Sequence, residues 1–250
     1  MCGIVAYIGD KEACPILLKG LKRLEYRGYD SAGVALLNGH LNIYKKAGKV
    51  EDLEAEMAGK DCSGTIGMGH TRWATHGQPD DINAHPHTAG SGNLSIIHNG
   101  IIENYASLKE ELKKRGHHFE TATDTEVLVH LIEDIQQNEK VSLEEAVRIA
   151  LNEVVGAYAI VVISKDEPDK LIGARKSSPL VVGIGKGEFF LASDASPLIE
   201  YTRNVVYLDD EEIVTVNRNG DLSIKTIANK SKTPYIEELE MQLDLIEKGG

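Results

Sequence analysis

Strand-like segments at both ends of the sequence limit the possible folds more strongly than any other feature. From about residue 157 onward, seven short segments carry the apolar pattern of β-strands, whereas three helical patterns occupy residues 105–154. Asn-Gly pairs at 38–39 and 219–220 suit the tight turns of β-hairpins. Such turns join antiparallel neighbours, so the pattern predicts an α+β fold with largely antiparallel sheets rather than a doubly wound parallel sheet.

The N-terminal part adds further strands and helices to this pattern. Predicted strands cover residues 4–8, 32–37, 41–45, 65–71 and 94–98. Predicted helices cover residues 13–24 and 50–57, and the polar segment 72–92 is predicted to be a long loop. The composition of 229–234 is typical of a linker, and a terminal helix is predicted over 236–247. We therefore expect one domain at residues 1–230, followed by a linker and helix at 231–250.

Composition and charge exclude several classes of function. The chain has 250 residues, with 27 basic and 39 acidic side chains and a net charge of −12. This charge disfavours binding to nucleic acid or to an anionic membrane surface. The longest apolar stretch, 157–163, is too short to span a bilayer. Three cysteines, and a start without a basic signal region, favour a reducing, cytoplasmic location.

Cys2 directly follows the initiator methionine and precedes a glycine and an apolar run. One interpretation is a small residue that leads into the first strand, and position alone favours it. The other is that Met1 is removed, which leaves a thiol and an amine together on the N-terminal residue. A nucleophile and a general base would then share one amino acid.

A second polar cluster, His98-Asn99-Gly100, closes a predicted strand. The Asn99 side chain offers N–H donors, and a glycine lets its backbone N–H approach a ligand closely. Two donors aimed at one point can form an oxyanion hole. The alternative is an ordinary Asn-Gly turn.

Two oppositely charged residues suggest an amino-acid site. Arg72 ends a predicted strand and is suited to hold a carboxylate. Asp124 opens a predicted helix, where it is either an N-cap or a partner for an ammonium group. Together they match the two ends of a zwitterion. Trp73 lies beside Arg72 in the long loop, where it could help a lid to exclude water.

Histidines crowd the same region at positions 70, 76, 85, 87 and 98. Their spacing matches no common metal-binding pattern, so we interpret most of them as hydrogen-bonded loop residues. We expect neither a metal ion nor a cofactor. A metal-dependent hydrolase built on these histidines is the alternative.

Six motifs in register carry a family resemblance. They are MCGIVAYIG, EYRGYDSAG, GHTRWATHG, NAHPH, HNGIIENY and TDTEV. From residue 2 to about 216 the chain resembles the glutaminase domain of the glucosamine-6-phosphate synthase family, the isomerising glutamine–fructose-6-phosphate aminotransferases. These are class II glutamine amidotransferases of the N-terminal-nucleophile hydrolase superfamily. The resemblance implies a four-layer α-β-β-α sandwich with two stacked antiparallel sheets.

The resemblance also implies a reaction. Cys2 would be the nucleophile after loss of Met1, and it would form a γ-glutamyl thioester from L-glutamine, releasing ammonia and then glutamate. The Asn99 side chain and the Gly100 N–H would form the oxyanion hole. Gly3 would leave room for the substrate beside Cys2.

The remaining site residues are also implied by the resemblance. The expected substrate residues are Arg72 for the α-carboxylate, Asp124 for the α-ammonium, and Thr75 and His76 along the glutamine pocket. Trp73 resembles a residue that gates ammonia passage to a second domain. Arg27 is expected near the nucleophile.

The implied partners extend beyond glutamine. The family has a sugar-isomerase half that binds fructose 6-phosphate, and its full-length proteins are expected to be homo-oligomers. The chain stops where that half would begin, so we interpret it as an isolated glutaminase domain. Two alternatives stay open: the glutaminase domain of another class II enzyme, similar to amidophosphoribosyltransferase, and a non-catalytic glutamine-binding domain that retains Met1.

Overall fold

A computed structural model describes residues 2–239, which form five α-helices and fifteen β-strands. The helices are α1 (Ala13–Leu24), α2 (Val50–Met57), α3 (Tyr105–Lys114), α4 (Asp124–Glu139) and α5 (Leu143–Glu153). The strands are β1 (Gly3–Ile8), β2 (Ser31–Leu37), β3 (Leu41–Ala47), β4 (Ile66–Arg72), β5 (His87–Thr88), β6 (Leu94–Ile102), β7 (Gly156–Ser164), β8 (Lys170–Lys176), β9 (Val181–Ile184), β10 (Phe189–Ala192), β11 (Asn204–Tyr207), β12 (Glu212–Asn217), β13 (Leu222–Thr226), β14 (Ser231–Lys232) and β15 (Glu237–Glu238). A 3₁₀ turn, Glu25–Arg27, follows α1.

Within these residues the strands form two antiparallel sheets. Sheet 1 has eight strands in the order β15-β11-β9-β10-β1-β4-β2-β3, and sheet 2 has seven in the order β14-β13-β12-β8-β7-β6-β5. In sheet 1 the first strand, β1, lies between β10 and β4. In sheet 2 the longest ladder joins β6 to β7 over nine residue pairs.

Three apolar cores separate four layers. One core packs α1 and α2 on the outer face of sheet 1 and includes Leu21 and Leu53. The second lies between the sheets and includes Met68 and Val161, and the third packs α3, α4 and α5 on sheet 2. Alternate residues of a strand face opposite sides, and β1 accordingly sends Ile4, Ala6 and Ile8 to one core and its other apolar residues to another. The expected four-layer sandwich is confirmed.

Two boundaries near the predicted site differ from the sequence prediction. The strand predicted to end at His98 continues as β6 to Ile102, because β7 pairs with it throughout. Asn99 and Gly100 therefore lie within a strand and not in a turn after it. Asp124 is the first residue of α4 and not its N-cap. The cap is Thr123, whose side chain accepts a hydrogen bond from the Glu126 N–H.

The C-terminal prediction also needs correction. Residues 231–232 of the predicted linker pair with β13, and residues 237–238 of the predicted terminal helix pair with β11. Leu239 is buried in the core beneath α1 and α2. The rest of the predicted helix, from residue 240, lies outside the described residues.

Membrane insertion by a helix has no support in the described part of the chain, since no helix there has the length and apolar character that a bilayer crossing needs.

Candidate active site

One cavity of about 300 Å³ brings together every predicted catalytic and substrate-binding residue except Gly3. Its walls include Cys2, Arg27, Arg72, Trp73, Thr75, His76, Asn99, Gly100 and Asp124. Cys2 precedes β1, and Arg72 ends the neighbouring strand β4, so antiparallel pairing brings the two ends together. Strand β6 and the start of α4 supply the opposite wall from the second sheet and its helical layer.

The Cys2 thiol contacts the backbone of Trp73. Its Sγ accepts a hydrogen bond from the Trp73 N–H at 3.2 Å and lies 3.5 Å from the Trp73 carbonyl oxygen. Burial raises the pKa of the Cys2 thiol, and the hydrogen bond and the nearby Arg72 and Arg27 charges oppose that effect only in part. The thiol is therefore protonated at neutral pH and needs a base before it can attack.

Arg27 holds the backbone beside this thiol. Its Nε donates to the Cys2 carbonyl oxygen at 3.2 Å, and its Nη1 lies 3.5 Å from both the Ser193 carbonyl oxygen and the Asp194 carboxylate. These bonds tie the chain start to the segment that follows β10. The geometry gives Arg27 a structural contact with Cys2.

Asn99 is held in one amide orientation by its neighbours. Its Nδ2 donates to the Cys2 carbonyl oxygen at 3.1 Å, and its Oδ1 lies 2.9 Å from His70 Nε2. The same His70 nitrogen lies 3.1 Å from the His98 carbonyl oxygen. Both oxygens only accept, so the network assigns the His70 proton to Nε2. The second N–H of the Asn99 amide remains for another acceptor.

Gly100 adopts a backbone conformation that other residues rarely adopt, with φ of +124°. A Cβ at this position would lie 2.1 Å from the Ala157 carbonyl oxygen on β7. Glycine is therefore required for β6 to stay paired with β7 in this backbone conformation.

Arg72 is a buried cation without a carboxylate partner among the described residues. Its guanidinium donates instead to backbone carbonyls of the following loop: Gln78 at 3.0 Å, Gly77 at 3.3 Å, and His76. Burial lowers the pKa of Arg72 from its ordinary value, although arginine stays charged. An unpaired buried charge is costly, which makes this position suited to an anionic ligand group.

Asp124 is the matching buried anion. One carboxylate oxygen accepts a hydrogen bond from the Ile102 N–H at 2.8 Å, and no cation lies within ion-pair distance among residues 2–239. Its place in the first turn of α4 lets the helix dipole stabilise the negative charge. The cavity therefore has one unpaired charge of each sign on its walls.

The loop after β4 contributes the remaining predicted residues. Thr75 and Trp73 are exposed, and the Trp73 ring packs edge-on against Tyr29 at a centroid distance of 5.9 Å. The His76 ring packs against Tyr105 at a centroid distance of 5.2 Å, and its buried Nδ1 has no hydrogen-bond partner within residues 2–239.

Gly3 has a different role from the one expected. A Cβ here would lie 2.6 Å from Thr71 Oγ1 and 2.8 Å from Leu24 Cβ. The space beside Gly3 is therefore filled by β4 and α1, and packing between these elements, rather than room for substrate, explains the glycine.

The sequence analysis did not assign His70 and His98 to the site. Burial lowers the pKa of His70 to about 3 and also lowers the pKa of His98, so both are neutral. His98 Nδ1 lies 3.0 Å from Thr125 Oγ1 on α4. Their positions in buried strands were the available signal, but the sequence could not show that His70 reaches Asn99.

Comparisons with known proteins identify the family of this chain. A family model described as a glutamine amidotransferase domain matches residues 37–231. The chain is 59% identical to the glutamine–fructose-6-phosphate aminotransferase (isomerizing) of Bacteroides thetaiotaomicron and 56% identical to that of Chlorobaculum tepidum. Both alignments cover 100% of this chain and 41% of the relative, so the chain spans about two fifths of their length.

A solved structure matches the fold. Glutamine phosphoribosylpyrophosphate amidotransferase from B. subtilis, complexed with ADP and GMP, superposes with a TM-score of 0.77 at 26% identity. The match covers 90% of this chain and 49% of that chain. The fold is thus the α+β sandwich of the N-terminal-nucleophile hydrolases. The chain belongs to the glutamine amidotransferase domain family, which confirms the resemblance drawn from the six motifs.

Proposed function

We propose that this chain hydrolyses the side-chain amide of L-glutamine with Cys2 as the nucleophile. One observation carries the proposal: Cys2, the Asn99 amide and two unpaired buried charges line a single cavity. The charges of Arg72 and Asp124 match the α-carboxylate and α-ammonium groups of an amino acid. Glutamine held at these groups would extend its side chain toward the thiol, with Thr75 and His76 along the pocket.

The first step requires removal of Met1. The free Cys2 amine then takes the thiol proton, since the ordinary pKa of an α-amine, about 7.7–8.0, is close to that of a cysteine, about 8.5. The sulfur attacks the amide carbon and forms a C–S bond. The negative charge that develops on the amide oxygen is stabilised by the free N–H of the Asn99 side chain and by the Gly100 N–H.

The second step breaks the amide C–N bond. The ammonium of Cys2 gives its proton to the leaving nitrogen, which departs as ammonia and leaves a γ-glutamyl thioester on sulfur. Water, deprotonated by the same amine, then attacks the thioester. Glutamate leaves and the thiol is restored. Arg27 keeps the Cys2 backbone in position during both steps through its bond to the Cys2 carbonyl oxygen.

Intact mass spectrometry with the glutamine analogue 6-diazo-5-oxo-norleucine tests this proposal. We expect a chain without Met1 that gains one adduct, mapped to Cys2. The variant Cys2→Ala should gain none, whereas the matched control Cys62→Ala should be labelled like the unmodified chain. A processed chain that takes no adduct, or an adduct on Cys14 or Cys62, would contradict the assignment.

We further propose the role of this domain in a longer protein. Residues 1–230 would be the glutaminase domain and 231–250 would lead to a sugar-isomerase half. There the ammonia, gated by Trp73, would convert fructose 6-phosphate to glucosamine 6-phosphate, and the full-length protein would be a homo-oligomer. The 59% identity to the Bacteroides relative supports this acceptor. An amination assay with fructose 6-phosphate would test the acceptor. Light scattering of the full-length protein would test the oligomeric state.

We also propose a cytoplasmic location. The three cysteines Cys2, Cys14 and Cys62 are all free thiols, as expected in a reducing compartment. Cell fractionation would test this location.

A further inference from the structure

Three ligand-type side chains converge about two turns along α4 from Asp124. His130 and Glu133 lie one turn apart on α4, and His117 follows the end of α3. One nitrogen or oxygen atom of each lies within 4.8 Å of the others. His130 and Glu133 are buried and His117 is half-buried. None of the three lines the active-site cavity.

The two imidazoles face each other with their Nδ1 atoms, which are 2.9 Å apart. The Nε2 of His117 lies 3.0 Å from an oxygen of the Asp134 carboxylate, which accepts a hydrogen bond. A His117 ring with one proton therefore holds it on Nε2 and presents Nδ1 to His130. Two nitrogens this close must share either one proton or one cation.

A metal ion between the two rings also fits the carboxylates on their far sides. If a metal ion binds both Nδ1 atoms, His130 carries its proton on Nε2, which lies 3.9 Å from an oxygen of Glu126. Both rings then direct an N–H at a carboxylate, Asp134 or Glu126, which is the usual arrangement around metal-bound histidine.

Both outer carboxylates and the third ligand are held in place. Arg115 donates to Asp134 at 2.6 Å, and Glu126 accepts hydrogen bonds from the backbone of residues 120 and 121 at 2.8 and 2.7 Å. One oxygen of Glu133 accepts from the Ser91 N–H at 3.1 Å, which leaves the other free to bind.

Gly90 packs beside the ligands and leaves room for one more atom there. A Cβ at Gly90 would lie 3.5 Å from this Glu133 oxygen, Oε2, and 4.0 Å from His130 Nδ1. A second cavity, about 670 Å³ in volume, is lined by Gly90 and, of the three ligands, by His130, so an ion and its water would approach from the His130 side.

We propose that His117, His130 and Glu133 form a Zn²⁺ site with a fourth position open to water. Two imidazoles and one carboxylate are a common three-ligand set for this ion. A tetrahedral Zn²⁺ with Zn–N bonds of about 2.0–2.1 Å separates its nitrogens by about 3.3 Å. The rings therefore need to move apart by only about 0.4 Å, judged from the present 2.9 Å.

Zn²⁺ binding to the metal-free chain tests the site. The titration is made in competition with a chromogenic chelator, in a Cys2→Ala background that removes the other strong chelating position. We expect one Zn²⁺ per chain and an increase in Tm. His117→Ala and Glu133→Gln should each weaken binding at least tenfold. The matched control is His118→Ala, because His118 is the adjacent, exposed histidine and should leave the affinity unchanged.

Two further measurements keep the test decisive if a variant does not fold. Co²⁺ in place of Zn²⁺ should give d–d absorption bands without a thiolate charge-transfer band. Nitrogen NMR should show that Zn²⁺ shifts the Nδ1 resonances of His117 and His130 but not of His118. The proposal is wrong if no stoichiometric Zn²⁺ binds, if a thiolate band appears, or if His118→Ala weakens binding as much as His117→Ala.

Discussion

Asn99→Ala should separate catalysis from binding in this cavity. The Asn99 amide has two N–H groups, of which one donates to the Cys2 carbonyl oxygen at 3.1 Å and the other is free for the oxyanion. Loss of one such donor costs about 2.7–4 kcal/mol of transition-state stabilisation. We therefore expect kcat to fall about 100- to 1000-fold. KM should change by less than about threefold, because Arg72 and Asp124 are untouched.

Glutamate release from L-glutamine, measured on the processed chain, gives kcat and KM separately. Asn104→Ala is the matched control. Asn104 lies on the same segment, but its side chain donates to the Glu153 carbonyl oxygen at 2.8 Å and accepts from the Val155 N–H at 2.9 Å, so it supports the fold. This control should lower Tm and leave kcat within about twofold. A fall in kcat of less than tenfold for Asn99→Ala, or a loss confined to KM, would refute the oxyanion role.

Three other predictions concern charge, pH and backbone strain. Arg72→Ala should raise KM for glutamine about 10- to 100-fold, since a hydrogen bond to a charged group contributes about 1.5–3 kcal/mol. A larger effect on kcat than on KM would contradict a binding role for Arg72. Burial lowers the pKa of His70 to about 3, so the folded chain resists a proton that the unfolded chain accepts near pH 6.5. The stability that neutral His70 contributes is complete above about pH 6.5 and is lost as the pH falls toward 3, by up to about 1.4 kcal/mol per pH unit. Thermal melts of His70→Gln should therefore show a smaller decrease of Tm over this pH range. Gly100→Ala should lower the free energy of unfolding by more than about 3 kcal/mol, because its Cβ would clash with the Ala157 carbonyl oxygen. The control Gly39→Ala lies in an open turn and should lower it by only about 1 kcal/mol. Denaturant titrations measure both changes.

Periodicity predicted most elements because their apolar faces are buried in the expected way. Helix α1 covers the predicted residues 13–24, and its Leu17, Leu21 and Leu24 are fully buried. Periodicity did not predict how the four layers stack. Alternation shows that a strand has two faces, but not which partner each face meets. Only the resemblance supplied that arrangement.

The errors at the site arose where pairing overrides local preference. An Asn-Gly pair favours a turn, yet β7 holds Asn99 and Gly100 in β6, and Gly100 adopts φ of +124° to remain there. An acidic residue before a helix favours a cap, yet Thr123 takes that position and leaves Asp124 facing the cavity. Sequence patterns within one segment could not predict these two differences, because each depends on a neighbour that is distant in sequence.

Neutral histidines preserve the charges that the proposed substrate needs. Asp124 favours protonation of His98, but burial has the larger effect and lowers the pKa of His98. A cationic His98 would neutralise Asp124 inside the protein, and a cationic His70 would repel Arg72. With both rings neutral, the cavity keeps one buried charge of each sign without a partner, an arrangement that costs stability in the free protein. A zwitterion offsets that cost at both ends simultaneously, whereas an amine or a carboxylate alone offsets it at one end. In the proposed mechanism, the burial that makes these histidines unsuitable as bases would give the pocket its selectivity for amino acids and leave the base function to the N-terminal amine.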